Sequence, residues 1–448
     1  MKRLETFKTF FLLPLAAIVC FSAACRPAAA GTHVAPVGDT IVVIEEVVRN
    51  ARQDTVKTGI EVLRDSGFAI LDGKRVGLVT NQSGVDRNLN STIDILNKAP
   101  NVHLVALYGP EHGVRGNHSA GRRVKDDVDP STGLTVYSLY GRTRRPLPEM
   151  LEGIDVMVYD IQDNGSRSYT FISTLGSIME ACADADIEVV VLDRPNPLGG
   201  LKVEGSYVEP DCVSFIGRYP IPYIYGLTVG ELATYLNEEG LLRGPRWDEE
   251  PHHCRLTVVP MEGWRRDMYF DETHQPWVMP SAHIPEATTS FYYPASGMVG
   301  ELGGWMSIGI GYTVPFQLFG AQWVDSDEFA DKLNDLELPG VRFRPITYKP
   351  YYASGKDSTL QGVQFFFTDL DAARLTEVQF YVMQVAAELY PDHPAFTEGR
   401  QYRMFDFATG SHGIRETFSK RYRVEDILPY WRKDEEAFRE ASSKYYLY

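Results

Sequence analysis

Cysteine is scarce in this chain, five in 448 residues. None is spaced as a zinc or haem ligand set would be. The ten histidines are scattered: His112, His118, His252, His253, His274 and His283 define no ligand spacing, and no metal is expected. Excess basic charge is also missing. Lys and Arg total 44 against 60 Asp and Glu, a net charge of −16, which excludes a general nucleic-acid binder but leaves room for a local basic pocket. Beyond the first residues no apolar run reaches the roughly 18 residues needed to span a bilayer. There is no G-x-S-x-G elbow, no Walker loop, no H-E-x-x-H and no G-x-G-x-x-G after a strand, so no nucleotide or other cofactor is expected.

The N-terminus carries a targeting signal. Lys2, Arg3 and Lys8 precede an apolar run from Phe10 to Ala24, and Ser22, Ala23 and Ala24 stand just before Cys25. Small residues before a cysteine resemble a bacterial lipobox, and the favoured reading is a periplasmic, membrane-tethered lipoprotein lipidated on Cys25. Ordinary signal cleavage near Ala28-Ala29-Ala30 is the alternative. With Cys20 in the signal, Cys182, Cys212 and Cys254 remain: Cys182 fits a buried helical position, and Cys212 with Cys254 is a candidate disulfide.

From residue 56 the chain alternates short apolar strands with helical patterns, the signature of a parallel sheet covered on both faces. Four strands end in polar turns: RVGLVT before Asn81-Gln82-Ser83-Gly84, LVALYG before Pro110-Glu111-His112-Gly113, DVMVY before Asp160 to Gly165, and EVVVL before Asp193-Arg194-Pro195-Asn196. In open α/β sheets ligands bind beyond the carboxyl ends of the strands, which predicts that these four turns share one rim. The segment from Gly141 to Arg145 adds three arginines in a loop. From Trp264 to Phe319 the chain is rich in Gly, Pro and aromatics with little helical period, too long for an idle loop. The expected organisation is a signal over 1–25, a linker over 26–55, a Rossmann-like catalytic domain over 56–225 without a nucleotide motif, and a smaller C-terminal α+β domain over 226–448 closing the cleft.

The rim holds the carboxylates Glu111, Asp160, Asp163 and Asp193. Glycoside hydrolysis needs two carboxyl groups, one protonated and one ionised. Arg115, Arg167 and Arg194 either hold such acids ionised or grip an anionic substrate group. The structural alternative is that Asp160, Asp193 and their arginines only brace the strand ends.

GPEHGVRG, DIQDNGSRSYTF, DRPNPLGG with VEG after it, and PIPYIYGLTVGELA together resemble the bacterial exo-β-N-acetylmuramidase family, from about Gly59 to the C-terminus. The resemblance implies an exo-acting glycoside hydrolase that removes terminal N-acetylmuramic acid from peptidoglycan fragments. It implies Glu111 as general acid/base beside His112, with Asp160 and Glu301 as further catalytic carboxylates. Asn81, Ser83, Arg115, Gln162, Arg167, Tyr169, Asp193, Arg194, Asn196, Ser281 and His283 would contact the sugar. The second half departs from the family pattern: Ile224-Tyr225 stand for Arg-His, Ala282-His283 for Pro-Asn, and Ile310 for the Arg of Gly-Arg-Gly-Thr. These changes predict either a related amino sugar as substrate or, as the competing expectation, a non-catalytic wall-glycan-binding lipoprotein.

Overall fold

The computed structural model describes residues 32–37, 40–45, 55–111, 113–116, 126–244, 250–400 and 402–448. The Cys25 region and His112 lie outside the described residues, as do His118, Arg122, Arg123 and Lys125. Two compact units result, residues 1–54 and 55–448. In the first, β1 (Thr32–Val37) and β2 (Thr40–Glu45) pair antiparallel. Among the described residues no helix is long and apolar enough to cross a membrane.

The second unit is built on a seven-stranded sheet. Its strands are β3 (Arg75–Thr80), β4 (His103–Gly109), β5 (Asp127–Val128), β6 (Thr135–Ser138), β7 (Val156–Asp160), β8 (Glu188–Leu192) and β9 (Leu256–Val259), in the order β5-β6-β4-β3-β7-β8-β9. Every neighbouring pair is parallel except β5 with β6. Side chains alternate between faces as a strand requires. Val76 and Leu78 pack with Ile60 and Leu63 of α1 (Gly59–Asp65) and with Ile93 and Leu96 of α2 (Thr92–Lys98). On the opposite face Val79, Met157 and Val189 pack with Leu175 and Ile178 of α3 (Phe171–Asp184) and Leu232 of α4 (Val229–Glu238). Burial on both faces is why β3, β7 and β8 read as unbroken apolar runs.

Starting from β3, the chain adds β4 and β6 on one side, then returns to add β7, β8 and β9 on the other. This doubly wound order has its switch point between β3 and β7. Because α4 and β9 complete this sheet, the boundary expected at residue 225/226 falls inside the first layer.

The C-terminal part begins with α5 (Thr289–Gly300), which contains Pro294. An antiparallel sheet follows, β10 (Leu318–Ala321), β11 (Val341–Tyr348) and β12 (Leu360–Phe367) in the order β10-β12-β11, backed by α6 (Ser326–Asn334) and α7 (Val378–Leu389). It ends in α8 (Arg403–Thr409), α9 (His412–Arg421), α10 (Leu428–Trp431) and α11 (Glu435–Ser443). Thus the stretch expected to lack helical period carries α5; its proline and glycines hide a helix that tertiary packing imposes. Cys182, Cys212 and Cys254 are all buried free thiols, so the expected Cys212–Cys254 disulfide is absent.

Candidate active site

All four strand-end turns lie at the carboxyl edge of the parallel sheet, as the alternation predicts. At the switch point the turns after β3, β7 and β8 are knitted together. Thr80 Oγ1 donates to the Asp160 carbonyl at 2.8 Å. Asn81 Oδ1 accepts from the Ser83 N–H at 2.9 Å, and Ser83 Oγ accepts from the Gln162 N–H at 3.0 Å. Gln162 Nε2 donates to the Asp163 and Pro195 carbonyls, both at 2.8 Å. Asn196 Nδ2 donates to the Leu227 carbonyl and its Oδ1 accepts from the Leu198 N–H, both at 2.9 Å. The space among Ser83, Gln162 and Arg194 is only about 10 Å³, too small for a sugar.

The rim arginines are committed to the protein. Arg194 forks onto fully buried Asp160, Nε at 2.5 Å and Nη2 at 2.9 Å, and Thr92 Oγ1 donates to the same carboxylate. Arg115 forks onto Asp129 at 2.9 and 3.0 Å. Arg167 is fully buried, and its Nη atoms donate to the carbonyls of Ser206, Ile221, Ala408 and Thr409 at 2.6–3.1 Å. Burial lowers its pKa to about 10. Asp193 accepts from Thr228 Oγ1 at 2.7 Å, the Gly230 N–H at 2.8 Å and the Tyr448 hydroxyl at 2.7 Å, pinning the start of α4; desolvation still pushes it up to about 6. Asp160, Asp193, Arg167 and Arg194 thus take up the bracing arrangement.

Glu111 stands apart from this network. It follows β4 on the half-buried turn after Gly109-Pro110. Thr170 Oγ1, just before α3, donates to Glu111 Oε2 at 3.2 Å. Burial and then the nearby Glu111 carboxylate raise the pKa of Tyr140, after β6, while Arg144 opposes the rise. Both supports escape sequence reading, although Thr170 sits within the SRSYTF motif and Tyr140 just before the arginine loop.

Next to this carboxylate Tyr169 is buried edge-on to Tyr293, ring centroids 5.6 Å apart. Its hydroxyl senses Glu111, Asp163 and Ser281 but has no well-formed hydrogen bond. Beyond Tyr293 opens a cavity of about 360 Å³ whose lining includes Ser168, Tyr223, His283, Tyr293, Glu301 and Ser307. That volume is within the range of small-ligand sites. Ser168 Oγ bonds the Tyr223 hydroxyl at 2.7 Å and the Tyr293 hydroxyl at 3.0 Å. His283 meets the Tyr352 hydroxyl at 3.1 Å. The segment carrying Ser281 and His283 is tied to the rim through Asn81 Nδ2 and Gln82 Nε2, which donate to the Pro280 carbonyl at 3.3 and 2.9 Å.

Glu301 caps the carboxyl end of α5 in this cavity. Glu301 is exposed to solvent, yet partial desolvation by its surroundings raises the carboxyl's pKa, and a helix C-terminus likewise disfavours negative charge. Among the departures from the family pattern, Ile310 lines the cavity. Tyr225 donates its hydroxyl to Asp163, and Ile224 is buried with its backbone paired to Glu204 at 2.9 and 3.0 Å. The site therefore offers two carboxyls in different environments, flanked by tyrosines and hydroxyls suited to a polyhydroxylated ring.

Comparison with known proteins covers both halves. The family model for the N-terminal part of the exo-β-N-acetylmuramidase NamZ matches residues 76–288, and the model for its C-terminal part matches residues 291–448. The peptidoglycan β-N-acetylmuramidase NamZ of Bacillus subtilis (strain 168) is 40% identical over 400 residues, 89% of this chain and 93% of that protein. A DUF1343 family protein of Bacteroides fragilis NCTC 9343 has 55% identity and a TM-score of 0.83, covering 88% of this chain and 99% of that one. A second DUF1343 protein of the same organism has 24% identity and a TM-score of 0.68 with the same coverage, a likeness of fold.

Proposed function

Because this chain belongs to the exo-β-N-acetylmuramidase family, we propose that it is a glycosidase removing terminal β-N-acetylmuramic acid from peptidoglycan fragments. The observation that carries the reading is Glu111. It is a carboxylate at the open end of β4 that accepts from the Thr170 hydroxyl and lies near Tyr140, while the other strand-end acids are buried in the protein's own bonds. Glu111 serves as general acid/base. Glu301 supplies the second carboxyl, its raised pKa and its place at the C-terminus of α5 favouring the protonated form. Tyr169, Ser168, Tyr293 and His283 line the sugar's path between them. Asn81, Ser83 and Gln162 act one step back, holding the Ser281 segment and the β7 turn in place.

The test is nitrophenol release from para-nitrophenyl β-N-acetylmuramide and, in parallel, from the glucosaminide, by protein lacking residues 1–25. Release from the muramide is expected. Glu111→Gln should lower kcat by about 10²-fold or more while KM changes little. Full activity in that variant removes Glu111 from the mechanism, and no release by folded wild type removes the muramidase reading.

The protein acts in the periplasm, tethered by a lipid on Cys25; the basic start, the apolar run and the small residues before that cysteine support this. Fatty-acid labelling in cells should mark the wild type and not Cys25→Ser. Equal labelling, or none in either, defeats the tether.

A further inference from the structure

If the substrate carries a lactyl carboxylate, some cation must meet it, yet Arg115, Arg167 and Arg194 are all engaged with the protein itself. A second cavity, of about 330 Å³, has Arg144, Arg145, Ser214, Phe215 and Arg218 in its wall. Two of its arginines are paired, Arg145 with Asp184 and Arg218 with Glu180. Arg144 has no carboxylate partner among the described residues. Its guanidinium lies 4.2 Å from the Phe215 ring centroid and 5.2 Å from that of Tyr140.

Aromatic contacts of this kind fix the plane of a guanidinium and leave its N–H edge available, the geometry that binds a carboxylate in two parallel bonds. The same wall contains two buried polar atoms without hydrogen-bond partners, Ser214 Oγ and Arg145 Nε. Buried donors left unpaired are costly and point to a missing acceptor. Tyr140 links this wall to the chemistry: its ring lies against Arg144 and 6.5 Å from that of Phe215, and, after burial, the nearby Glu111 carboxylate raises its phenol's pKa.

We propose that Arg144, with Ser214 Oγ and Arg145 Nε, forms a carboxylate subsite that reads the lactyl group of the terminal muramic residue. This rests on the muramidase reading above. It explains how a chain with Ile224, Tyr225 and Ile310 at three departures from the family pattern retains recognition of an acidic sugar: the recognising cation is on the loop after β6, in the sheet domain.

The experiment compares para-nitrophenyl β-N-acetylmuramide with its lactyl methyl ester, which has the same shape without the charge. Wild type should prefer the acid by about ten- to a hundredfold in kcat/KM, the scale of a truncated charged pair. In Arg144→Met that preference should fall to about one, mainly through KM, and Arg144→Lys should restore part of it. Should Arg144→Met fail to fold, Ser214→Ala should still reduce the preference by about two- to fivefold. If Arg144→Met slows both substrates equally and leaves the preference intact, the arginine acts only on Tyr140 and Glu111, and the subsite is overturned. If wild type hydrolyses neither substrate, the muramidase reading fails separately, and calorimetric titration decides the subsite. Binding of N-acetylmuramic acid over N-acetylglucosamine that is lost in Arg144→Met supports it; equal or absent binding overturns it.

Discussion

Asp163 is fully enclosed, one carboxylate oxygen accepting from the Tyr225 hydroxyl and the Gly165 N–H while the other has no partner. Desolvation pushes it up to about 6. An unfolded aspartate titrates near 4, so between about pH 4 and 6 the folded state holds a proton that the unfolded state has released. Stability from this group is therefore complete below about pH 4 and is lost as pH rises through 6, a change on the order of 3 kcal/mol. Asp163→Asn, which keeps the shape and cannot ionise, should remove that slope. Urea unfolding of both proteins at several pH values from 4 to 7.5 checks it; parallel curves would refute the assignment. The same residue shows what sequence can and cannot deliver. Glu111 was legible because a Gly-Pro break after an apolar strand exposes whatever follows. Bracing of Asp160 by a rim arginine was one of two open readings, but that Arg194 is the one, and that Arg167 meets only carbonyls, was not legible, since a charged residue's partner is set by segments distant in the chain.

Helix α3 carries the argument at the scale of elements. Its apolar positions predict an amphipathic helix, and it forms, but Gly176 within it has a purpose no periodicity reveals. A Cβ there would fall 1.5 Å from the hydroxyl of Tyr219; that ring is fully buried, and its hydroxyl accepts a bond from Arg218 Nε at 3.1 Å. On propensity alone Gly→Ala in a helix stabilises by about 1 kcal/mol. Here the overpacking should win, and Gly176→Ala should destabilise by roughly 1–3 kcal/mol, read as a lower denaturant midpoint. A raised midpoint would mean that Tyr219 moves freely. Strands β3, β7 and β8 were legible because burial on both faces writes an unbroken apolar run. Helix α5 was not, because Pro294, Gly297 and Gly300 erase its period, and β10, four residues ending in Gly320-Ala321, gives too short a signal to read.

Across the whole molecule the two halves form one unit over residues 55–448, and Arg167 is one of the ties between them, beside Glu204 on Thr376 and Tyr448 on Asp193. Arg167 leaves the β7 turn of the parallel sheet and donates to Ala408 and Thr409 at the end of α8, as well as to Ser206 and Ile221. A buried cation satisfied only by carbonyls is costly to place and costlier to remove, because its loss strands several acceptors without donors. The same segment contains Ser168, which lines the Glu301 cavity, and Tyr169 beside it, so this tie between the halves also anchors one wall of the cavity. Arg167→Met should destabilise the protein by about 3 kcal/mol or more and lower the thermal midpoint by several degrees. Turnover of the muramide should fall in the variant even where it remains folded, because the Ser168–Tyr169 segment loses its anchor. Wild type should unfold in one transition by calorimetry and by tyrosine and tryptophan fluorescence together. Two resolved transitions in the wild type, or an Arg167→Met variant with unchanged midpoint, would show that the halves are held by other contacts and that the cavity wall is anchored elsewhere.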